Sequence, residues 1–201
     1  MTKPLLLEQK KTLRKHLRAE RNNLSIFQQH NAAISISRSL NRSHQFKRSK
    51  NIALYLASDG ELNCKLVIDK LISEGKNVYL PVLHPINRRF LWFIKYDQHT
   101  PMRFNRFGIK EPQLSRSRIL NPNQLDIICM PLVGFDLKGN RLGMGGGFYD
   151  TTLEKVVNQR WQPTPKLVGL AHSCQISKDI PKEPWDIKLD EIATPDKNIK
   201  P

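Results

Sequence analysis

Residues 131–153 read PLVGFDLKGNRLGMGGGFYDTTL, and the order of residue types in this stretch decides what kind of fold carries it. Overlapping its start, Leu125 to Phe135 (LDIICMPLVGF) is an apolar run suited to a buried strand. Downstream, Thr151, Thr152, Leu153, Val156 and Val157 read as a short helix with Asp150 in its first turn. Between the two, five of the ten glycines (Gly139, Gly143, Gly145, Gly146 and Gly147) fall within nine residues. Glycine lacks a Cβ, so such a loop can take positive φ and lay bare N–H groups against a ligand. Strand, glycine loop and helix start, in that order, make an anion nest at the positive end of a helix. A flexible surface turn is the plain alternative. The flanks argue against it, because Arg141 supplies a cation for phosphate oxygens and Asp150 a carboxylate for a metal. Mg2+ takes one or two carboxylates together with substrate phosphates and water.

Two common phosphate motifs do not fit. A Walker loop needs Lys followed by Ser or Thr after its last glycine, and Phe148 follows Gly147. The dinucleotide fingerprint GxGxxG fails because position 148 is not glycine. The ten residues RLGMGGGFYD (Arg141 to Asp150) instead strongly resemble the loop of the 5-formyltetrahydrofolate cyclo-ligase family, also called 5,10-methenyltetrahydrofolate synthetases. That family reads RLG-x-G-x-G-Tyr-Tyr-Asp, preceded by Pro-x-x-x-Phe-Asp-x-x-Gly, and Pro131, Phe135, Asp136 and Gly139 occupy the earlier places.

The resemblance implies ATP- and Mg2+-dependent cyclisation of 5-formyltetrahydrofolate to 5,10-methenyltetrahydrofolate, with ATP as co-substrate and release of ADP and phosphate. It extends to an N-terminal Lys-x-x-Leu-Arg element, matched by Lys10 to Arg14 (KKTLR), with Lys11 competing for the register of Lys10. These residues, with Arg141, Leu142, Gly143, Met144, Gly145, Gly146, Gly147, Phe148 and Tyr149, are the implied nucleotide contacts. Arg141 and Tyr149 are the implied catalytic pair. The folate side is implied to involve Leu56, Glu61, Met144, Gly145, Gly146, Gly147 and Phe148, with Glu61 accepting paired N–H bonds from the pterin edge. Read on its own, Glu61 is an ordinary acid near a helix start. Asp150 and Asp186 are the implied Mg2+ ligands, while Asp190 holds loop structure. Phe148 stands where the family commonly has Tyr, which removes a hydroxyl, and Met144 fills a variable place.

Outward from the loop, the rest of the chain reads as one α/β domain of 201 residues: a basic helical part, 1–50, and a sheet-containing part, 51–201. Leu6, Leu13, Leu17 and Leu24 stripe a first helix across 4–23. Ser25 and Gln28 form a capping box opening a second, with Ile26, Ala33, Ile36 and Leu40 on its buried side. Asn41 to Lys50 reads as a basic surface loop. Ile52 to Ala57 is a first strand, and a helix with Leu66, Val67, Leu71 and Ile72 inward stops at Gly75. Asn77 to Leu83 and Phe90 to Tyr96 are further strands, Pro81 marking a bulge or strand end. Pro101 to Pro112 interleaves Arg103, Phe104, Arg106 and Phe107, a pattern that could stack bases; the family's Gly-Ile-x-Glu-Pro, matched by Gly108, Ile109, Glu111 and Pro112, makes it a substrate-side loop. Lys166 to His172 is one more strand, and Trp185 reads as packing. Strands alternating with helices predict right-handed crossovers and a three-layer sandwich with a mostly parallel central sheet flanked by helices.

Composition bounds the rest. Cys64, Cys129 and Cys174 lack CxxC spacing, which argues against zinc and disulfides and for a reducing cytoplasm, with Cys129 in the core. No apolar run approaches the ~20 residues a membrane helix needs. The formal charge is +15, and twelve Lys or Arg against two Glu in residues 1–50 supply +10 of it. That balance suits ATP and folate, both polyanions, and equally a basic nucleic-acid-binding module, the main rival reading. Asp150, Glu61 and Asp186 oppose the rival because they would repel a polyanion. A monomer is expected, since no apolar helix face is left over.

Overall fold

The computed structural model describes residues 3–87, 89–157 and 164–201. Three helices open the chain, α1 (Lys3–Asn22), α2 (Ile26–Arg42) and α3 (His44–Arg48). There follow β1 (Asn51–Ala53), α4 (Lys65–Ser73), β2 (Asn77–Leu83), β3 (Leu91–Tyr96), a hairpin of β4 (Met102–Phe104) and β5 (Lys110–Pro112), and β6 (Ile119–Leu120). The second half holds β7 (Ile127–Pro131), a two-residue pair of β8 (Gly134–Phe135) and β9 (Arg141–Leu142), α5 (Phe148–Val157), β10 (Lys166–Leu170), β11 (Glu191–Ala193) and β12 (Asn198–Ile199).

Eight strands form one sheet in the order β12-β11-β10-β7-β1-β2-β3-β6. The inner pairings β11-β10, β10-β7, β7-β1 and β1-β2 are parallel, and the outer ones are antiparallel. Alternate residues on each strand point to opposite faces. Ile52, Leu54, Ile127 and Cys129 meet Ile36, Leu40, Phe46 and Val67 of α2, α3 and α4 on one side. Ala53, Ile128 and Met130 meet Leu153 and Val156 of α5 on the other. The expected three layers are therefore present, and Cys129 lies in the core.

Several local expectations change. Seven residues separate β2 from β3, too few for a crossover, so β3 returns antiparallel, while β1-α4-β2 and β7-α5-β10 keep their strands parallel. Pro81 neither bulges nor ends β2; it pairs with Phe93. Tyr79 accepts from Leu54 N at 3.0 Å, so two residues on Pro81 faces the same side, beyond the end of β1, where no N–H is required. The run Leu125 to Phe135 divides into β7 and β8, and the strand expected over Ile52 to Ala57 pairs only as far as Ala53.

The capping box is found, with Gln28 N donating to Ser25 Oγ at 3.2 Å and Ser25 N to Gln28 Oε1 at 2.8 Å. Ile26, expected inward, is 89% exposed, because the first turn of α2 projects past the core that begins at Ala32. The expected loop at 41–50 contains α3, anchored by buried Phe46; one apolar residue among bases leaves no period to read. In α4, Ile68 rather than Leu66 joins Val67 and Leu71 inside. Gly75 ends it with φ +74, its N–H donating to Ile72 O while Lys76 N donates to Leu71 O, a Schellman closure.

α1 lies across the carboxyl ends of β1 and β7. Leu17 packs on Val133, Leu142 and Ile180. A Cβ at Gly134 would come within 2.3 Å of Leu17 Cδ1, so glycine there is what lets helix and strand approach. From β1 the chain moves to β2 on one side and later to β7 on the other, which makes β1 the switch point where open α/β sheets bind ligands.

Candidate functional site

A cleft of about 1140 Å³ lies outside those strand ends. α1 lines it with Leu7, Lys10, Arg14 and Arg18; the exit from β1 contributes Tyr55, Leu56 and Glu61; the glycine loop, the start of α5, and Trp185 with Asp186 close it. Lys10, Arg14, every residue from 141 to 150, Leu56, Glu61 and Asp186 are thus gathered around one cavity. Lys11 is not. It sits one helical step round from Lys10, exposed beside Glu8 and outside the cleft, so of the two it is Lys10 that reaches the cavity. Trp185, expected to pack, is half-exposed on the cleft wall.

The glycine loop has the backbone of a nest. Gly145 and Gly147 take φ of +99° and +66°, a region closed to most side chains. Among the described residues, none of the N–H groups of Gly143 to Gly147 donates to a protein acceptor. Arg14 Nε donates to Gly143 O at 2.8 Å, turning that carbonyl toward α1. α5 begins at Phe148, and Thr151 N donates to Gly147 O at 2.9 Å, so the N–H groups of its first turn lack intrahelical partners. The positive end of the helix and the unbonded loop amides therefore face the same cavity.

The charged groups at this end are paired with one another. Arg141 Nη2 donates to Asp150 Oδ1, which also accepts from Ile187 N at 3.1 Å. Lys10 Nζ, 5% exposed with its residue, donates to Asp186 Oδ2 at 2.6 Å and to Glu183 Oε2 at 3.2 Å. Glu183 N donates to Asp186 Oδ2 at 2.9 Å. Ions this far from water need partners. Arg141 Nε is buried with no partner. Burial pulls the Arg14 pKa down, against the opposing pull of Asp186 and Glu183.

The bonds made by each aspartate use a single oxygen, leaving Asp150 Oδ2 and Asp186 Oδ1 open. The described residues contain no group of three or more His, Cys, Asp or Glu placed to hold a metal. Two open carboxylate oxygens beside an anion nest fit Mg2+ that arrives with phosphates, rather than a permanent protein cage.

Elsewhere in the cleft Glu61 has no ion-pair partner in contact among the described residues. Glu61 closes a turn in which its N–H donates to Ser58 O at 2.9 Å, while Ser58 N and Oγ donate to Glu61 Oε2 at 3.0 and 3.3 Å. Burial raises its pKa, opposed by the Ser58 bonds and by Arg21. Tyr149 is pushed far above the ordinary phenol range by burial, so it meets the cleft as a neutral group, packed on the α5-side core. Phe148 stacks edge-on against Phe107 of the β4-β5 hairpin, with ring centroids 5.9 Å apart. The hairpin is held by buried Glu111, which accepts from Leu83 N at 3.1 Å and Arg103 Nη2 at 2.9 Å. Asp190 binds Leu167 N at 2.7 Å, the structural part expected of it.

Arg18, Arg21, Tyr55 and Glu183 were not singled out from the sequence. The signal for Arg21 was present, since Lys10, Arg14, Leu17 and Arg21 follow a 4-3-4 spacing on one helical face.

The sequence profile described as the 5-formyltetrahydrofolate cyclo-ligase family matches residues 7–195. The 5-formyltetrahydrofolate cyclo-ligase of Haemophilus influenzae is 45% identical over 185 residues, covering 92% of this chain and 97% of that protein. The Escherichia coli K12 protein of the same name is 44% identical over 73% of this chain and 78% of its own length. Among solved structures, the 5,10-methenyltetrahydrofolate synthetase of Aquifex aeolicus superimposes with a TM-score of 0.80 at 29% identity, covering 95% of this chain and 92% of that one. That of Mycoplasma pneumoniae gives 0.71 at 27% identity, covering 92% and 98%.

Proposed function

The chain belongs to the 5-formyltetrahydrofolate cyclo-ligase family, and on that premise we propose that it cyclises 5-formyltetrahydrofolate to 5,10-methenyltetrahydrofolate, using ATP with Mg2+ and releasing ADP and phosphate. The observation that carries the nucleotide half is the run of unbonded N–H groups from Gly143 to Gly147, set between Arg141, Arg14 and the first turn of α5. A formyl group on nitrogen is a poor electrophile with a poor leaving oxygen. The formyl oxygen attacks the γ-phosphorus, ADP departs, and the oxygen becomes part of a good leaving group. N10 of the same folate then adds to the activated carbon and loses its proton, and phosphate leaves.

No side-chain nucleophile is needed; the protein holds and neutralises. Loop amides with Lys10, Arg14 and Arg141 hold phosphate oxygens. Arg141, with its unpartnered Nε, faces the transferring group, and Tyr149 closes that wall. Glu61 accepts pterin N–H bonds, with Leu56, Met144 and Phe148 as apolar walls. Asp150 Oδ2 and Asp186 Oδ1 would hold Mg2+, which would supply charge neutralisation. Lys10, which donates to Asp186 Oδ2 in the free protein, would then be released to donate to a phosphate oxygen.

Lys10, Arg14 and Arg141 are engaged within the cleft, which favours small polyanions over the nucleic-acid reading for these three cations. No described helix is long and apolar enough to cross a membrane. Three unbridged cysteines suit a reducing cytoplasm, and the working form proposed is a cytoplasmic monomer in which 1–50 and 51–201 act as one domain.

The test is to mix the protein, Mg·ATP and 5-formyltetrahydrofolate and follow the near-ultraviolet absorbance of the methenyl product. Growth of that band, dependent on ATP and Mg2+, supports the reading. A folded protein that produces none overturns it.

A further inference from the structure

Arg21 lies outside the cleft lining, yet its guanidinium is the bulkiest fully buried side chain in the molecule's described part, 0% exposed. Its Nε donates to Asp59 O at 2.8 Å, Nη2 to Asp59 Oδ2 at 2.6 Å and Nη1 to Leu132 O at 3.4 Å. Three carbonyl or carboxylate oxygens from two segments, the turn after β1 and the exit from β7, are thus fastened to one helical residue. Burying a cation so far from water is costly unless it is paired; Leu132 O also accepts from Gln175 Nε2 at 2.6 Å, whereas Asp59 O has Arg21 as its side-chain donor.

The turn it grips is unusual. Asp59, with φ +48°, is the one non-glycine residue of positive φ among the described residues, and Gly60 follows at +75°. A Cβ at Gly60 would fall 2.1 Å from Asn22 Oδ1, so the turn lies directly on the last residues of α1. Such a backbone persists only where its surroundings over-determine it. Arg18 Nε and Asn22 Nδ2 also reach the Asp59 carboxylate, but both of those contacts are exposed. Glu61 is the next residue after this left-handed pair, and its Oε2 is tied to Ser58 within the same turn.

We propose that Arg21 is a positioning residue: by locking Asp59 in its left-handed conformation against α1, it aims the Glu61 carboxylate into the folate end of the cleft. This rests on the reading that Glu61 faces the folate. Lys10 and Arg14 have their own anchors in Asp186 and Gly143 O, so the phosphate end does not depend on Arg21. The guanidinium also acts on Glu61 through space. Facing that carboxylate are Arg21 from α1, Asp59 from its own turn, Tyr149 from α5, and Tyr55 and Cys64 on either side in the chain. Arg21 is the cation that lowers the Glu61 pKa against burial, so its loss moves that pKa up.

The full-length enzyme is assayed as Arg21→Met, Arg21→Lys, Asp59→Asn and Glu61→Gln, each first checked for folding by circular dichroism. Asn tolerates the left-handed region, so Asp59→Asn keeps the turn and removes the ion pair if Arg21→Met does not fold. The expected result for Arg21→Met is a folate KM raised about tenfold, the size of one lost charge-assisted hydrogen bond, with the MgATP KM unchanged. The acid limb of kcat/KM for folate moves to higher pH. Arg21→Lys brings that limb back by restoring the charge, while KM stays raised because the fork geometry is gone. Asp59→Asn raises the folate KM in the same direction. Folded Arg21→Met and Asp59→Asn with wild-type folate KM and pH limb, or with both KM values unchanged and kcat alone reduced, overturn the inference while an impaired Glu61→Gln leaves the site reading intact. A Glu61→Gln enzyme with normal folate KM overturns the site reading and this inference together.

Discussion

At the glycine-loop end of the cleft every buried ion has a counter-ion in contact, Lys10 with Asp186 and Arg141 with Asp150. At the Glu61 end the carboxylate has no ion-pair partner in contact among the described residues; Ser58 bonds it, and Arg21, itself paired with Asp59, acts on it through space. The difference follows what each end receives. A metal-nucleotide brings cation and anion together, so internal pairs can be exchanged for ligand pairs with little change in net charge. A pterin edge brings neutral N–H donors, so the receiving carboxylate is kept desolvated and under-satisfied until they arrive. Paired charges store stability in the free enzyme; an under-satisfied one costs it.

Breaking one pair should have the largest effect. Asp150→Ala leaves Arg141 without its partner and removes an oxygen assigned to Mg2+, and turnover should fall by about 10³-fold or more while circular dichroism stays native. If the protein unfolds instead, the pair is structural and the contrast between the two ends disappears.

Glu61→Gln sharpens the contrast by moving binding and stability in opposite directions. The folate KM should rise by about 10- to 100-fold, the loss of charged acceptance from paired N–H groups. The folded-state pKa is raised above the ordinary 4.5, so Glu61 favours the fold below 4.5 and this contribution is lost as pH rises through the folded value. The glutamine variant should therefore melt above wild type at neutral pH, and the gap should close below pH 4.5. Equal melting temperatures at pH 7 would show that Glu61 is not under-satisfied.

Gly147→Ala places a side chain at φ +66°, which strains the loop by about 1 kcal/mol and should raise the MgATP KM several-fold. The last test reads stability rather than turnover, at Asp59. Its bond from Arg18 and then those from Arg21 hold its pKa below 3.8, so it stabilises the fold above that value and the contribution is lost as pH falls through the folded pKa. Asp59→Asn should melt below wild type near neutrality, and the gap should close as pH falls below 3.8, where wild-type Asp59 is itself protonated.

How much of this could be read from the residues follows the same division. The glycine loop was legible because backbone amides facing an anion require glycine locally, and the sequence spacing is the geometry. The layers were legible because strand alternation and helical period report burial directly. Glu61 could be placed, but the reason it holds its position could not. That depends on Arg21, forty residues away, whose spacing with Lys10, Arg14 and Leu17 looks like a solvated basic face until the turn at Asp59 is packed against it. The antiparallel return of β3 was hidden in a loop length, and α3 in a single phenylalanine among bases. The pairing of Lys10 with Glu183 and Asp186 joins residues 173 and 176 positions apart, which no local pattern encodes.

The most direct measurement is a crystal structure of the protein with Mg·ADP. The account predicts terminal phosphate oxygens within about 2.7–3.2 Å of the N–H groups of Gly143 to Gly147, Mg2+ on Asp150 and Asp186, and Lys10 turned from Asp186 to phosphate. Nucleotide seated elsewhere, with the loop amides facing water and the Lys10–Asp186 and Arg141–Asp150 pairs intact, would contradict it.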